Sequence, residues 1–129
     1  MPRVLVVDDQ KDVRAMVSMV LRLSRFEVSE AQNLKAGLEA FADADFDAAV
    51  VDVFLLDESG FDLIAALRER APNLPVVAVS GVATLDAVVR SAELSNVVCL
   101  QKPFRPAELI QAIETARRGV AQASPRAAV

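Results

Sequence analysis

Five positions carry side chains that could do chemistry together: the adjacent acids Asp8 and Asp9, the acid Asp52, the hydroxyl of Ser80 and the amine of Lys102. Each stands where a short apolar run gives out. Val4–Val7 precedes Asp8, Ala48–Val51 precedes Asp52, Val76–Val79 precedes Ser80, and Val97–Leu100 ends two residues before Lys102. Three carboxylates held together repel and raise one another's pKa unless a cation lies among them. A hard divalent ion relieves that repulsion, and oxygen ligands without any histidine suit Mg2+ rather than zinc. Lys102 adds positive charge for Asp52 or for a phosphoryl group, and Ser80 offers a donor to a phosphoryl oxygen. The set suits phosphoryl transfer to a carboxylate.

Taken singly, most of these residues have duller readings. Asp8-Asp9 could simply cap a helix, Ser80-Gly81 reads as a turn, and Lys102 reads as a solvated lysine. Asp52 is different, because it sits inside the apolar run Val50-Val51-Asp52-Val53-Phe54-Leu55-Leu56, where a charge is costly without a purpose. The joint placement at four strand ends argues for a site.

The elements that must position these residues are legible in the hydrophobic pattern. The predicted strands are Val4–Val7, Phe26–Glu30, Ala48–Val51, Val76–Val79 and Val97–Leu100. The second alternates apolar and polar residues as an edge strand would, whereas the first, third and fourth are wholly apolar and suit strands covered on both faces. Helical spacing appears in Val13, Met16, Val17, Val20 and Leu21, and again in Leu34, Leu38 and Phe41 after an N-cap at Asn33. A third stripe, Phe61, Ile64 and Leu67, starts near Ser59-Gly60. A fourth, Leu85, Val88 and Val89, follows Thr84. The fifth helix opens at Pro106 with Glu108 in its first turn, buries Leu109, Ile110 and Ile113, and is expected to stop at Gly119. Five β-α units imply an α/β fold, a doubly wound five-stranded parallel sheet with helices on both faces, whose ligands lie beyond the carboxyl ends of the strands. The chain is expected to be one domain over residues 1–119, followed by a flexible tail over 120–129.

Composition excludes several functions. The 129 residues are 53% hydrophobic, enough for one core without disulfide or metal support. Fourteen basic against eighteen acidic residues, net charge −4, argue against direct nucleic-acid binding. The chain has no histidine and one cysteine, Cys99, so Ser-His-Asp chemistry, Cys-His chemistry and an internal disulfide are absent. No apolar run approaches the ~20 residues of a membrane span, and no signal sequence is evident, so a cytoplasmic location is expected. Glycines at 37, 60, 81 and 119 are too far apart for a phosphate-cradling loop.

Val6-Val7-Asp8-Asp9, Val50-Val51-Asp52, Val79-Ser80-Gly81 and Lys102-Pro103-Phe104 stand in the order and spacing of one family. Over roughly residues 2–119 the chain resembles the receiver domains of two-component response regulators. The resemblance implies a flavodoxin-like (βα)5 fold with strand order 2-1-3-4-5. It implies that Asp52 accepts a phosphoryl group from a phosphohistidine on a sensor histidine kinase or phosphotransfer protein. Asp9 would bind Mg2+ directly, Asp8 mainly through water, and Asp52 and the backbone carbonyl of Phe54 would complete the protein ligands. Ser80 would hydrogen-bond the phosphoryl group and Lys102 would pair with it. Gly60 matches a family glycine at the start of the third helix, and a cis Lys102-Pro103 bond is implied. Signalling would leave through the fourth helix, fifth strand and fifth helix, about Thr84 to Gly119, toward a downstream protein or a second copy in a phosphorylation-dependent dimer. The chain would be a stand-alone receiver or a piece of a longer regulator.

It departs from the family in three places. Cys99 replaces the Tyr or Phe that often serves as an aromatic switch, Leu55-Leu56 replaces a common Met-Pro pair, and Phe54 is bulkier and less polar than usual, so its ring could cover the site and slow hydrolysis of a phosphoaspartate. An aspartyl phosphatase is disfavoured because the second acid such enzymes need would fall at Phe54. A degenerate receiver acting only as an interaction module is disfavoured by the full set of site residues.

Overall fold

Wholly apolar strands can be satisfied only when both of their faces are covered, and the computed structural model covers them with helices on each side. The structure describes residues 1–55, 58–81 and 96–127. Their order is β1 (Arg3–Val7), α1 (Lys11–Leu23), β2 (Glu27–Ala31), α2 (Leu34–Ala42), β3 (Ala48–Asp52), the two-residue strands β4 (Phe54–Leu55) and β5 (Glu58–Ser59), α3 (Gly60–Arg70), β6 (Val76–Ser80), β7 (Val97–Gln101) and α4 (Pro106–Ala127). The main sheet is parallel with order β2-β1-β3-β6-β7. With β6 and β7 as the fourth and fifth predicted strands, this is the expected order 2-1-3-4-5, and β2 is the edge strand its alternation suggested.

The two-residue period of the strands divides the core. Leu5, Val7, Ala49, Val51, Val76 and Ala78 face Leu63, Ile64 and Leu67 of α3. Their alternates Val4, Val6, Ala48, Val50, Val77 and Val79 face Val17 and Leu21 of α1 and Leu109 and Ile113 of α4. A one-residue slip in any strand would exchange these sets, so the register that aligns the strand ends is held by packing.

Helix starts follow the capping chemistry. Asn33 Oδ1 accepts the Ala36 N–H at 2.8 Å, and Ser59 Oγ accepts the Phe61 N–H at 3.2 Å. Asp8 and Asp9 do not cap α1, whose N-cap is Gln10 without a side-chain bond. Two features differ from expectation. The apolar run after Asp52 does not continue as one strand: β4 pairs antiparallel with β5, Phe54 with Ser59 and Leu55 with Glu58, and Asp52 Oδ1 accepts the Phe54 N–H at 3.0 Å. At the other end α4 runs past Gly119 to Ala127. Gly119 lacks the positive φ of a C-terminal cap, and one interior glycine costs only about 1 kcal/mol against alanine, a small term among the alanines and arginines around it. The predicted fourth helix, with Leu85, Val88 and Val89, lies outside the described residues.

Candidate functional site

Parallel pairing brings the strand ends level. Val7 is opposite Val51, Asp52 opposite Val79, and Ser80 opposite Gln101, so the residues that follow β1, end β3 and β6, and follow β7 gather at one sheet edge. Strand β7 runs one residue further than predicted and delivers Lys102 directly. Its N–H donates to the Ser80 carbonyl at 2.8 Å, which ties the last two strand ends together.

The predicted cluster is assembled. Asp8, Asp9 and Asp52 each offer a carboxylate oxygen, all within 4.8 Å of one another. Asp8 and Asp52 are buried at 4% and 6% exposure, while Asp9 is more open to solvent. Lys102 Nζ lies 2.9 Å from Asp52 Oδ2 and 3.2 Å from Asp8 Oδ2, bridging the two buried acids. Ser80 is buried beside them, the Lys102-Pro103 peptide is cis as expected, and the Phe54 ring is 54% exposed next to the site. Asp9 also borders a depression of about 290 Å³ shared with Gln32, Asn33 and Glu58.

Burial and mutual contact shift the ionisation of the cluster. Burial pushes the Asp8 carboxyl up; the Gln10 N–H and Lys102 offset part of this, and neighbouring Asp52 adds to it. Burial alone would lower Lys102, but its hydrogen bond to Asp52, with the charges of Asp52 and Asp8, outweighs this and raises it. Among the described residues, three carboxylates and one ammonium meet here, and oxygen donors with one open toward solvent fit a hard divalent cation.

Two supporting residues escaped the sequence reading as such. Gly60 was seen as a helix start, but its role is clearance: a Cβ there would lie 2.3 Å from the Asp52 carbonyl oxygen and 2.6 Å from Val53 Cα. Its N–H also donates to the Val53 carbonyl at 2.9 Å. Arg14, on the rim of α1, donates from its guanidinium to the Asp8 carbonyl at 2.7 Å. The available signal was a cation near the amino end of a helix, where the helix dipole disfavours positive charge.

A doubly wound α/β sheet with an acidic pocket beyond its carboxyl edge defines a class of domain, and comparison with known proteins narrows it. Residues 4–114 match the family model described as the response regulator receiver domain. The chain is 37% identical over 125 residues to the transcriptional regulatory protein PrrA of Mycobacterium leprae, covering 95% of this chain and 54% of that protein. It is 29% identical over 116 residues to the response regulator protein PilR of Pseudomonas aeruginosa, covering 90% of this chain and 26% of that one. The crystallised Vibrio cholerae chemotaxis protein CheY4 superposes with a TM-score of 0.81 at 26% identity, over 90% of this chain and 98% of its own. The chain belongs to the response regulator receiver domain family, the signalling domain of two-component systems. It spans only about a quarter to a half of these two longer regulators. Among the described residues, no helix is long and apolar enough to cross a membrane.

Proposed function

We propose that Asp52 is the phosphoacceptor, taking a phosphoryl group from the phosphohistidine of a sensor histidine kinase or phosphotransfer protein. A carboxylate oxygen of Asp52 attacks phosphorus, the N–P bond breaks, and the imidazole of the donor leaves. Asp8, Asp9, Asp52 and the Phe54 carbonyl would hold Mg2+, which when bound offsets the negative charge of the incoming phosphoryl oxygens. Lys102, already between Asp8 and Asp52, pairs with one phosphoryl oxygen, and the Ser80 hydroxyl donates to another. The observation that carries this reading is the shared ammonium: two buried carboxylates converge on Lys102 Nζ beside a third, more exposed one.

The output follows from the same contacts. Drawing Ser80 toward a phosphoryl group would pull on the chain after β6, while Lys102 reports through β7 and α4. With Cys99 where an aromatic switch often stands, transmission falls to the main chain after Ser80. The face of the predicted fourth helix, β7 and α4 would then engage a downstream protein or a second copy. The chain catalyses only its own phosphorylation and dephosphorylation, acts in the cytoplasm and binds no nucleic acid itself.

Incubation with acetyl phosphate and Mg2+, followed by mass spectrometry of peptides, tests the assignment. One phosphoryl group should appear on Asp52 and be lost in Asp52→Asn and on chelation of the metal. Wild-type labelling of Asp52→Asn would overturn the assignment.

A further inference from the structure

We infer that Arg14 is a positioning residue for the divalent-cation site, holding the Asp8–Asp9 peptide in the orientation that presents both carboxylates; this rests on the cation site proposed above. Asp8 is held from four directions. Its N–H donates to the Ala31 carbonyl at 3.1 Å, its Oδ1 accepts the Gln10 N–H at 2.8 Å, and its Oδ2 accepts from Lys102. The fourth is the backbone carbonyl, which accepts from Arg14 at 2.7 Å, a short charge-assisted bond. That carbonyl belongs to the peptide joining Asp8 to Asp9. Fixing its plane places the Asp9 Cα and leaves only the Asp9 φ to set the direction in which that side chain departs.

The arginine is itself held. Its Nε lies 3.3 Å from Glu30 Oε1 on β2, and Glu30 Oε2 lies 3.5 Å from Arg22, about two turns further along α1. Arg14 is 15% exposed, so this planar fork has little freedom to swing away. Glu30 also offsets a positive charge that would otherwise stand close to a cation site and near the unfavourable end of α1. A lysine could keep the charge but not the geometry, because its single ammonium cannot engage carbonyl and carboxylate with a rigid fork.

Charge and position make opposite predictions. If Arg14 acted only through its charge, Arg14→Ala would tighten Mg2+ binding and Arg14→Lys would leave it unchanged. If it positions the acids, both variants weaken binding, by about tenfold as expected for a partner that orients a metal ligand. The measurement is a MgCl2 titration of isotope-labelled protein, following backbone amide signals, with Arg14→Ala, Arg14→Lys, Glu30→Gln and Asp9→Asn. In the absence of Mg2+, the Asp9 amide nitrogen should also shift in both arginine variants, because its own peptide carbonyl has lost a donor. Should Arg14→Ala not fold, Arg14→Lys and Glu30→Gln carry the test. Unchanged or tighter affinity in Arg14→Lys, with Asp9→Asn losing binding, overturns the inference alone. If Asp9→Asn binds Mg2+ as the wild type does, the cation site fails and the inference falls with it.

Discussion

At the amino ends of the strands, basic side chains fasten one element to the next. Arg3 pairs with Glu27 at 2.9 Å while its N–H donates to Asp47 at 2.8 Å. Arg68 sends its guanidinium to the carbonyls of Leu74, at 3.0 Å, and Asn96, at 3.0 Å, fastening α3 to the entrances of β6 and β7. At the carboxyl ends of the same strands three carboxylates crowd around one ammonium, and two of those carboxylates are buried. The contacts at the amino edge tie elements of the fold together. Among the described residues at the carboxyl edge, the acids Asp8, Asp9 and Asp52 outnumber the ammonium of Lys102, an arrangement that suits a cation. Burial strengthens electrostatics in both directions, so a surplus of buried acid is tolerable only where something else is to bind.

Charge removal at the two edges should therefore have opposite effects. Asp8→Asn is expected to raise the thermal midpoint measured without Mg2+, because it removes a carboxyl whose ionised form is disfavoured by burial. It should also lose most of the Mg2+ affinity, by tenfold or more, and with it the stabilisation that added Mg2+ gives the wild type. A lower midpoint in metal-free Asp8→Asn would break the comparison. Gly60→Ala comes next: backbone atoms of Asp52 and Val53 must shift, costing about 1–3 kcal/mol as overpacking does. Because the displaced atoms belong to the proposed phosphoacceptor strand, labelling by acetyl phosphate should fall too, even at temperatures where the variant is fully folded.

At the opposite edge, Arg68→Ala should cost roughly 1–2 kcal/mol in urea denaturation through its lost carbonyl partners. Its Mg2+ affinity should stay within about twofold of wild type, since the Leu74 and Asn96 carbonyls lie at the opposite ends of the strands from the acids. A large change in affinity would show that the two edges are coupled through the sheet. The smallest effect belongs to Glu108, which accepts from the Arg105 N–H at 2.9 Å in the manner of a capping box at the start of α4. That bond, with the Arg105 side chain, holds the Glu108 carboxyl below its usual value. A depressed carboxyl contributes stability above its unfolded pKa of 4.5 and loses it as pH falls through the lower folded value. Glu108→Gln should thus lower the midpoint slightly at neutral pH, and the difference from wild type should shrink on acidification below that range.

Much of this was legible before any coordinates, for physical reasons that differ by residue. Asp52 stood out because an apolar run does not hold a charge by accident. Asn33 and Ser59 announced helix starts because few side chains satisfy the free N–H groups there. Gly119 misled because a glycine near the end of an alanine-rich segment reads the same whether or not its φ turns positive, and the continued helix keeps it negative. The β4–β5 pair stayed hidden because strands of two residues, Phe54 with Ser59 and Leu55 with Glu58, are too short to carry a readable period.

Alone, the sequence determined the five strands of the main sheet, the starts of the four described helices, that the sheet is parallel and that the acids lie at one edge of it. Those follow from local periodicity and the limited ways of burying it. Only the tertiary structure decided that Lys102 is shared between Asp8 and Asp52, that Gly60 must clear the Asp52 backbone, and that Arg14 reaches the Asp8 carbonyl. These depend on ångström distances between segments 6 to 94 residues apart, which the packing of strands against helices sets.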